Sequence, residues 1–237
     1  MNKLGDAILC YNLVDDARRA VESGLAHQSP NVFRMVFDNS DDFRIGEFML
    51  TEHPEIVYVR SPANVGCCVS RNAIAARMIR EGCTHWVVRD QDVEILADGW
   101  LDDMLAVFQK YPDTGIVSWD CIPKQLMAHY DCDETGATPQ VPGACCMVSA
   151  DCVRGVGGWY SGTLFYRLED SDFCFQAGLK GFRTRLVTGE QKIAHTTFSS
   201  GMGRHPRCAA IQALSEAVFQ QRSAQFGYPK VPGVNCP

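Results

Sequence analysis

The sequence predicts an α/β fold with a mostly parallel central sheet flanked by helices. Short strand-like runs alternate with segments whose apolar residues recur at helical spacing, as expected for such a sheet. The chain has 237 residues, of which 46% are hydrophobic and 21% charged. This length and composition suit a single folded domain and exclude an intrinsically disordered chain.

The first half of the chain shows the alternation most clearly. Strands are expected at 6–10, 32–37, 56–60, 86–88 and 115–118, and helices at 14–25, 70–81 and 101–108. The last of these helices is predicted by Leu101, Met104, Leu105 and Phe108, which are spaced three or four residues apart.

The second half is less regular. Strands are expected at 144–148, 182–186 and 191–195, with one or two helical turns at 151–156 before Gly157-Gly158. A helix at about 170–179 is predicted to end at Gly181, a residue typical of helix C-termini. A loop at 199–206 then precedes a final helix at 209–226.

The charge and the cysteine content argue against several classes of function. A net charge of −6 argues against nucleic-acid binding through the bulk field of the protein, and no run of eighteen apolar residues predicts a membrane span. The twelve cysteines include no Cys-x-x-Cys pair, so a zinc site is not expected. The N-terminus lacks the layout of a signal peptide, and the thiols are therefore predicted to be buried apolar groups in the reducing cytoplasm.

Polar residues follow four of the predicted strands. They are Tyr11-Asn12, residues 38–42, Asn64-Val65-Gly66 and Asp90-Gln91-Asp92. Helix capping explains polar residues in any one such loop. Ligands of open α/β sheets bind at the carboxyl ends of the strands, so four loops together favour a binding site at that edge.

Asp90-Gln91-Asp92 is the most informative of these loops. Two carboxylates two residues apart at a turn can converge on one hard cation, which would neutralise the phosphates of a nucleotide. A bare Asp-x-Asp triplet is common by chance, but its place after a buried strand strengthens the prediction.

A wider set of motifs resembles the family 2 glycosyltransferases, which have the GT-A fold. The set comprises Asn64-x-Gly66, Arg71-Asn72, Asp90-Gln91-Asp92, the run at 141–148, Gly157-Gly158-Trp159, the acidic run at 169–174 and the segment 180–183. The resemblance covers roughly residues 6 to 197 and rests on the order and spacing of the motifs rather than on any one of them. It implies a single GT-A domain at 1–197, with a nucleotide-binding half to about 120 and an acceptor half beyond it. Residues 198–237 would form a loop and a helix packed on that domain.

The resemblance also implies donor-binding and metal-binding residues. Tyr11, Asn12 and Asp38 would hold the nucleoside of the donor. Further donor contacts would come from Asn64, Gly66, Arg71, Asp90, Gly143 and Ala144. Mn²⁺ or Mg²⁺ would be held by Asp90, Asp92 and His195, with Asp92 favoured as the direct ligand.

The predicted catalytic base is Asp170, supported by Glu169. Each assignment has a structural alternative: both acids could simply cap the following helix, His195 could be a structural histidine, and Arg71 could be an ion-paired surface residue. Trp159 and Tyr160 either contact the acceptor or pack in the interior. Arg204 and His205, beside two glycines, suggest a lid over the diphosphate.

The predicted function is metal-dependent, inverting transfer of a single sugar from a nucleoside-diphosphate sugar, of the UDP type, to a hydroxyl of a carbohydrate or other acceptor. The Gln-x-x-Arg-Trp signature of processive synthases is absent. A nucleotidyltransferase is one alternative, but it would carry a Gly-rich basic loop near the first strand, where this chain has residues 10–14. A non-catalytic sugar-nucleotide binding module is the other, and it would not need Asp170.

Overall fold

The structure is a computed structural model that describes residues 3–27, 29, 31–119, 132–160, 162, 166–196 and 206–228. Its strands are β1 (Leu4–Cys10), β2 (Val32–Asp38), β3 (Val57–Arg60), β4 (His85–Asp90), β5 (Val93–Ile95), β6 (Thr114–Ser118), β7 (Ala137–Thr138), β8 (Cys145–Ser149), β9 (Arg183–Leu186) and β10 (Ile193–His195). Its helices are α1 (Val14–Ala26), α2 (Arg44–Glu52), α3 (Gly66–Arg80), α4 (Trp100–Lys110), α5 (Ala150–Val156), α6 (Glu169–Leu179) and α7 (Cys208–Phe226).

Eight strands form one sheet in the order β3-β2-β1-β4-β8-β6-β9-β7. The neighbours from β3 to β4 are parallel, whereas β8 runs antiparallel to both β4 and β6. The strand β8 from the second half of the chain therefore lies between two strands from the first half. The sheet confirms the predicted α/β class.

Helices cover both faces of the sheet, and alternation along the strands explains why. In β1, Ala7 and Leu9 belong to the apolar cluster that includes α3, whereas Ile8 and Cys10 belong to the cluster with α1 and α2. Successive side chains of a strand point to opposite faces, so a strand buried on both sides is continuously apolar. All seven residues of β1 except Gly5 and Asp6 are accordingly hydrophobic.

The last helix packs on α6. Phe219 of α7 is fully buried with Phe175 of α6, and their ring centroids are 6.2 Å apart. Arg222 of α7 donates two hydrogen bonds to the buried carboxylate of Asp172 in α6, at 2.6 and 3.1 Å. Helix α6, whose first turn contains Asp170, is thus held from behind by α7.

Several elements differ from the sequence-based expectation. Helix α2 was not predicted, although Ile45, Phe48 and Met49 show helical spacing, because Gly46 interrupts so short a pattern. Helix α3 begins at Gly66 rather than near residue 70. The expected strand at 191–195 is shorter and pairs with the unpredicted β5 in a separate two-stranded sheet. Strands of two or three residues such as β5 and β7 are too short to show a period.

The predicted helix end near residue 179 is confirmed. Helix α6 ends at Leu179, and Gly181 has a φ of +86°, a conformation that glycine adopts without a steric penalty. Among the ten described cysteines, seven are buried and none forms a disulfide. Within the described ranges, no helix combines the length and apolar character needed to cross a bilayer.

Candidate active site

The polar loops predicted from the sequence meet at one edge of the sheet. Strands β1, β2 and β4 are parallel, so their carboxyl ends place Tyr11-Asn12, residues 39–42 and Asp90-Gln91-Asp92 side by side. The segment Gly143-Ala144 reaches the same edge because β8 is antiparallel to β4. The amide of Asp90 donates to the Ala144 carbonyl at 2.7 Å.

The loops after β1 and β2 form what we call the nucleoside corner, defined by Tyr11, Asn12, Asp38, Asp41 and Tyr58. Asp41 accepts hydrogen bonds from the Tyr11 hydroxyl at 3.0 Å and from the Asn12 side-chain amide at 2.8 Å. In return, the Asp41 amide donates to the Asn12 side-chain carbonyl at 2.8 Å. Asn12 has a φ of +63°, a conformation that asparagine tolerates better than most residues.

Asp38 does not occupy the position expected of a donor contact. Its side chain is fully buried, accepts a 2.6 Å hydrogen bond from the Tyr58 hydroxyl and a 2.8 Å bond from the Ser40 amide. Burial and the hydrogen bond to Asp38 raise the pKa of the Tyr58 phenol. Asp38 therefore supports the loop from inside, and the accessible carboxylate of this corner belongs to Asp41.

Gln91 joins the loop after β1 to the acidic turn Asp90-Gln91-Asp92. Its side-chain oxygen accepts from the Tyr11 amide at 2.8 Å, and its side-chain nitrogen donates to the Tyr11 carbonyl at 2.9 Å. The Gln91 side chain is almost wholly buried. The two bonds fix the backbone of one loop against the side chain of the other.

A buried ion pair lies beneath the acidic turn. Arg89 donates to both carboxylate oxygens of Asp6, at 2.8 and 3.0 Å, and also to the carbonyls of Ala20 and Val93. The bond to Val93 closes the base of the turn, because Arg89 and Val93 flank it. Gly24 packs directly against the guanidinium, where a larger residue would collide with it.

Asp92 and His195 meet at the acidic turn. The His195 Nε2 lies 3.1 Å from an Asp92 oxygen, and both side chains are largely buried. Burial acts to lower the pKa of His195, but the hydrogen bond and negative charge of Asp92, with the charge of Asp90, raise it overall. The backbone of Thr196, next to His195, also donates to the Asp92 carbonyl.

This pair fits a divalent cation in its chemistry. Carboxylate oxygen and imidazole nitrogen are ligands suited to Mn²⁺, and two neighbouring ligands of an octahedral ion lie about 3 Å apart. Within the described ranges, no three His, Cys, Asp or Glu side chains are grouped as a ready-made metal site. Asp90 is therefore not gathered with Asp92 and His195, contrary to the expected three-residue set.

Arg71 of α3 is a buried cation between the acidic turn and Gly143. It donates to the Gly143 carbonyl at 3.0 Å, and its guanidinium lies 3.8 Å from Asp90. The burial of Arg71 excludes the surface ion pair that the sequence left open.

Gly143 also contacts Asp170. Its amide donates to Asp170 Oδ2 at 3.0 Å, and the amide of Ser171 donates to Asp170 Oδ1 at 2.8 Å. A Cβ atom at position 143 would lie 2.9 Å from the Cβ of Asp170, closer than side chains pack. Glycine at this position is what allows the peptide to approach the carboxylate.

Glu169 is buried beside Asp170, and among the described residues its Oε2 atom has no hydrogen-bond partner. Burial raises the pKa of Glu169 to about 7; the neighbouring Asp170 adds to the rise, and Arg71 opposes it. We call Asp90, Glu169 and Asp170 together with Arg71 the carboxylate cluster. It brings the consecutive acids Glu169 and Asp170 and the distant Asp90 close to one cation.

Solved structures with the same architecture include a mannosyltransferase from Pyrobaculum calidifontis in complex with GDP-Man and Mn²⁺. It is 16% identical, with a TM-score of 0.64 over 99% of this chain and 67% of that one. TarS of S. aureus (residues 1–349) is 12% identical, with a TM-score of 0.63 over 94% of this chain and 72% of that one. GalNAc-T7 with UDP, GalNAc and Mn²⁺ is 11% identical, with a TM-score of 0.60 over 78% of this chain and 42% of that one. The chain has a GT-A fold.

Comparisons of the sequence alone add nothing to this likeness: no family model matches the chain, and no curated protein matches it. The predicted resemblance to GT-A glycosyltransferases is confirmed at the level of the fold.

The remaining predicted residues of the GT-A site lie in different surroundings. Asn64 accepts from the Gly66 amide at 3.0 Å and so shapes the start of α3. Trp159 is buried and stacks on Phe173 with centroids 4.0 Å apart, which favours packing over acceptor contact. Tyr160 is 40% exposed, and the Arg222 guanidinium lies 3.9 Å from its ring centroid. Arg204 and His205 lie outside the described residues.

Three residues of this candidate site are not singled out by the sequence. Gln91 is the middle residue of an Asp-x-Asp triplet, and Asp41 is one polar residue among several. Arg89 follows the strand predicted at 86–88 and is not singled out. A charged residue in an otherwise apolar buried strand was the available signal for Arg89, since such a charge requires a partner.

Proposed function

We propose that this protein is an inverting, metal-dependent glycosyltransferase that moves one sugar from a nucleoside-diphosphate sugar to an acceptor hydroxyl. The observation that carries the proposal is the Gly143 peptide. Its amide holds Asp170 at 3.0 Å, and its carbonyl holds Arg71 at 3.0 Å. A carboxylate and a cation from two helices are thereby fixed at the sheet edge where ligands of such folds bind.

Donor binding is assigned to the nucleoside corner and the acidic turn. Tyr11, Asn12 and Asp41 present exposed polar groups for the nucleoside, with Asp38 behind them. Asp92 and His195 would hold Mn²⁺ or Mg²⁺ through one oxygen and one nitrogen. Such an ion, when bound, supplies positive charge that stabilises the leaving diphosphate.

Asp170 is the proposed general base. Its two carboxylate oxygens each accept one backbone N–H, from Gly143 and Ser171, so the group cannot rotate away from the cleft. The acceptor hydroxyl attacks the anomeric carbon as the bond to the diphosphate oxygen breaks, and Asp170 takes the hydroxyl proton. Attack from the side opposite the leaving group inverts the configuration.

The donor class and the cellular compartment are also proposed. The structural neighbours were solved with GDP-Man or with UDP and GalNAc, which supports a nucleoside diphosphate sugar, and we retain the UDP type as the first to test. The many free thiols support a reducing compartment, the cytoplasm. A carbohydrate or other hydroxyl compound would be the acceptor.

The test is a panel of UDP-, GDP- and dTDP-sugars incubated with Mn²⁺ and mixed sugar acceptors. We expect one donor to release its free nucleoside diphosphate and the acceptor to gain one sugar of inverted configuration. Donor binding without release would indicate a binding module. Release of pyrophosphate from a nucleoside triphosphate and a sugar phosphate would indicate a nucleotidyltransferase, and either result would overturn the proposal.

A further inference from the structure

The side chain of Gln91 forms two hydrogen bonds that have no part in the proposed reaction. The parallel pairing of β1 with β4 ends at Leu9 and Asp90. Beyond that point the backbones separate, and the Gln91 side chain supplies the next pair of bonds, to the amide and the carbonyl of Tyr11. The side chain thus continues the sheet pairing past the ends of the strands.

Only a carboxamide can make this pair of bonds. The bond from the Tyr11 amide needs an acceptor, and the bond to the Tyr11 carbonyl needs a donor, both at the end of one side chain. A glutamate would accept but not donate, and a methionine of similar size would do neither. The same carbonyl also accepts from the Leu13 amide at 2.9 Å, so the turn after β1 is held from two sides.

The two parts that Gln91 joins have separate tasks in the proposed function. On one side, Tyr11 and Asn12 continue into the nucleoside corner through Asp41. On the other side, Gln91 is followed directly by Asp92, which faces His195 at 3.1 Å. A nucleoside diphosphate is recognised at both ends only if these two parts stand at a fixed separation.

We propose that Gln91 is a positioning residue that couples the nucleoside corner to the metal-binding end of the acidic turn. The proposal rests on the proposed function. It states that Mn²⁺ strengthens nucleoside diphosphate binding partly through the Gln91–Tyr11 bonds. Removing the bonds leaves each part able to bind but reduces the cooperation between them, which is a coupling between two sites.

The experiment compares wild type with Gln91→Met, which keeps the size of the side chain and loses both bonds. Gln176→Met is the matched control, because Gln176 donates one long-range hydrogen bond, to the Tyr228 hydroxyl, away from the two loops. UDP, GDP and dTDP are titrated by calorimetry with and without Mn²⁺. The measured quantity is the dissociation constant without Mn²⁺ divided by the dissociation constant with Mn²⁺.

We expect the ratio to fall about tenfold in Gln91→Met and to change less than twofold in Gln176→Met. Hydrogen exchange of the Tyr11 amide in the nucleotide-free protein should accelerate in Gln91→Met only. A wild-type ratio in Gln91→Met would overturn the positioning role and leave the proposed function standing. Failure of wild type to bind any of the three nucleotides with Mn²⁺ would overturn both.

Gln91→Glu keeps the proposal testable if the methionine variant does not fold. Glutamate still accepts from the Tyr11 amide, so that amide should stay protected from exchange. Loss of the side-chain N–H donor should lower the ratio of the dissociation constants without and with Mn²⁺ by about threefold, because one of the two bonds remains. A ratio equal to that of wild type would again contradict the positioning role.

Discussion

The nucleoside corner and the carboxylate cluster share one edge of the sheet but differ in how their polar groups are satisfied. In the nucleoside corner, the Asp38 carboxylate receives two hydrogen bonds and the Asp41 carboxylate receives two. In the carboxylate cluster, an oxygen of Glu169 is buried with no hydrogen-bond partner among the described residues, and two carboxyl pKa values are raised to about 7. The carboxylates of the nucleoside corner are hydrogen-bonded to its other side chains, whereas those of the carboxylate cluster are held under electrostatic strain.

The difference indicates that the nucleoside corner is suited to binding and the carboxylate cluster to chemistry. A fully bonded polar network is rigid and keeps its shape before a ligand arrives. Crowded acids destabilise the folded state and persist where the surrounding structure holds them in place, which is common at reactive sites. Each of the following predictions tests one side of this comparison.

The largest effect is expected at Asp170. Replacement by Asn keeps one of the two bonds from the Gly143 and Ser171 amides, because its NH₂ group cannot accept the other, and it removes the base, so turnover should fall by about 10²–10⁴. Donor affinity should change little, and the lost bond should lower the stability by about 1 kcal/mol. Steady-state kinetics with calorimetric donor binding measure both, and Asp151→Asn, an exposed acid in the first turn of α5, is the control. Wild-type turnover in Asp170→Asn would move the base to another acid.

A smaller loss is expected for metal binding at Asp92. Asp92→Ala removes the carboxylate that faces His195, so the tightening of nucleoside diphosphate binding by Mn²⁺ should fall by tenfold or more. Removal of metal by excess chelator should abolish turnover in the wild type. Asp98→Ala, whose side chain is 86% exposed, serves as the control for removal of an acid. Equal turnover with and without chelator would contradict a metal requirement.

The strain in the carboxylate cluster predicts a pH dependence of stability. The pKa of Glu169 is raised from 4.5 in the unfolded chain to about 7 in the folded protein, so the folded state binds a proton that the unfolded state has released. The free energy of unfolding should therefore fall as pH rises from about 4.5 to 7. Glu169→Gln should reduce this fall, to which Asp90 also contributes, and stabilise the protein by about 1–3 kcal/mol at pH 8, with little effect at pH 4.5.

Urea denaturation at several pH values measures the Glu169 effect. The control is Glu47→Gln, since Glu47 lies in the first turn of α2 on the exposed surface. Parallel pH profiles for wild type and Glu169→Gln would show that the buried acid carries no strain.

The smallest effect is expected in the nucleoside corner. Tyr58→Phe removes the 2.6 Å bond to Asp38, and the half-buried position of the hydroxyl limits the loss of stability to about 1 kcal/mol. The loss should not vary between pH 5 and 8, in contrast to Glu169. Thermal denaturation measures it, with Tyr111→Phe as control because the described contacts of Tyr111 are made by its ring. A loss in Tyr58→Phe that changes between pH 5 and 8 as strongly as the Glu169 effect would contradict the comparison.

The sequence predicted the fold well because burial on both faces leaves continuous apolar runs in the central strands. It also placed the acidic turn, Gly143 and Asp170 at the site edge through the resemblance of their motifs. It failed where the answer depends on the partner of a side chain. Nothing in the order of residues distinguishes Asp38, which is internal, from Asp41, which is accessible.

The sequence pattern also did not show which aromatic residues are buried. Trp159 and Tyr160 are neighbours in sequence, yet one ring is buried against Phe173 and the other is exposed beside Arg222. Which of the two faces the interior is decided by α3 and α6, distant in sequence, since Asn72 of α3 binds both the amide and the carbonyl of Trp159. Long-range contacts of this kind leave no local period.

The position of β8 between β4 and β6 has a consequence for synthesis on the ribosome. About 55 residues separate the end of β4 from the start of β8, so β4 leaves the ribosome with one side of its ladder unpaired. At typical elongation rates of about 5–20 residues per second, that open edge lasts about 3–11 s. Arg89 and Asp90 lie on this strand, so the acidic turn matures only after the chain has been translated through β8. During that interval the nascent chain exposes an apolar strand edge, the feature by which unfinished chains associate with one another.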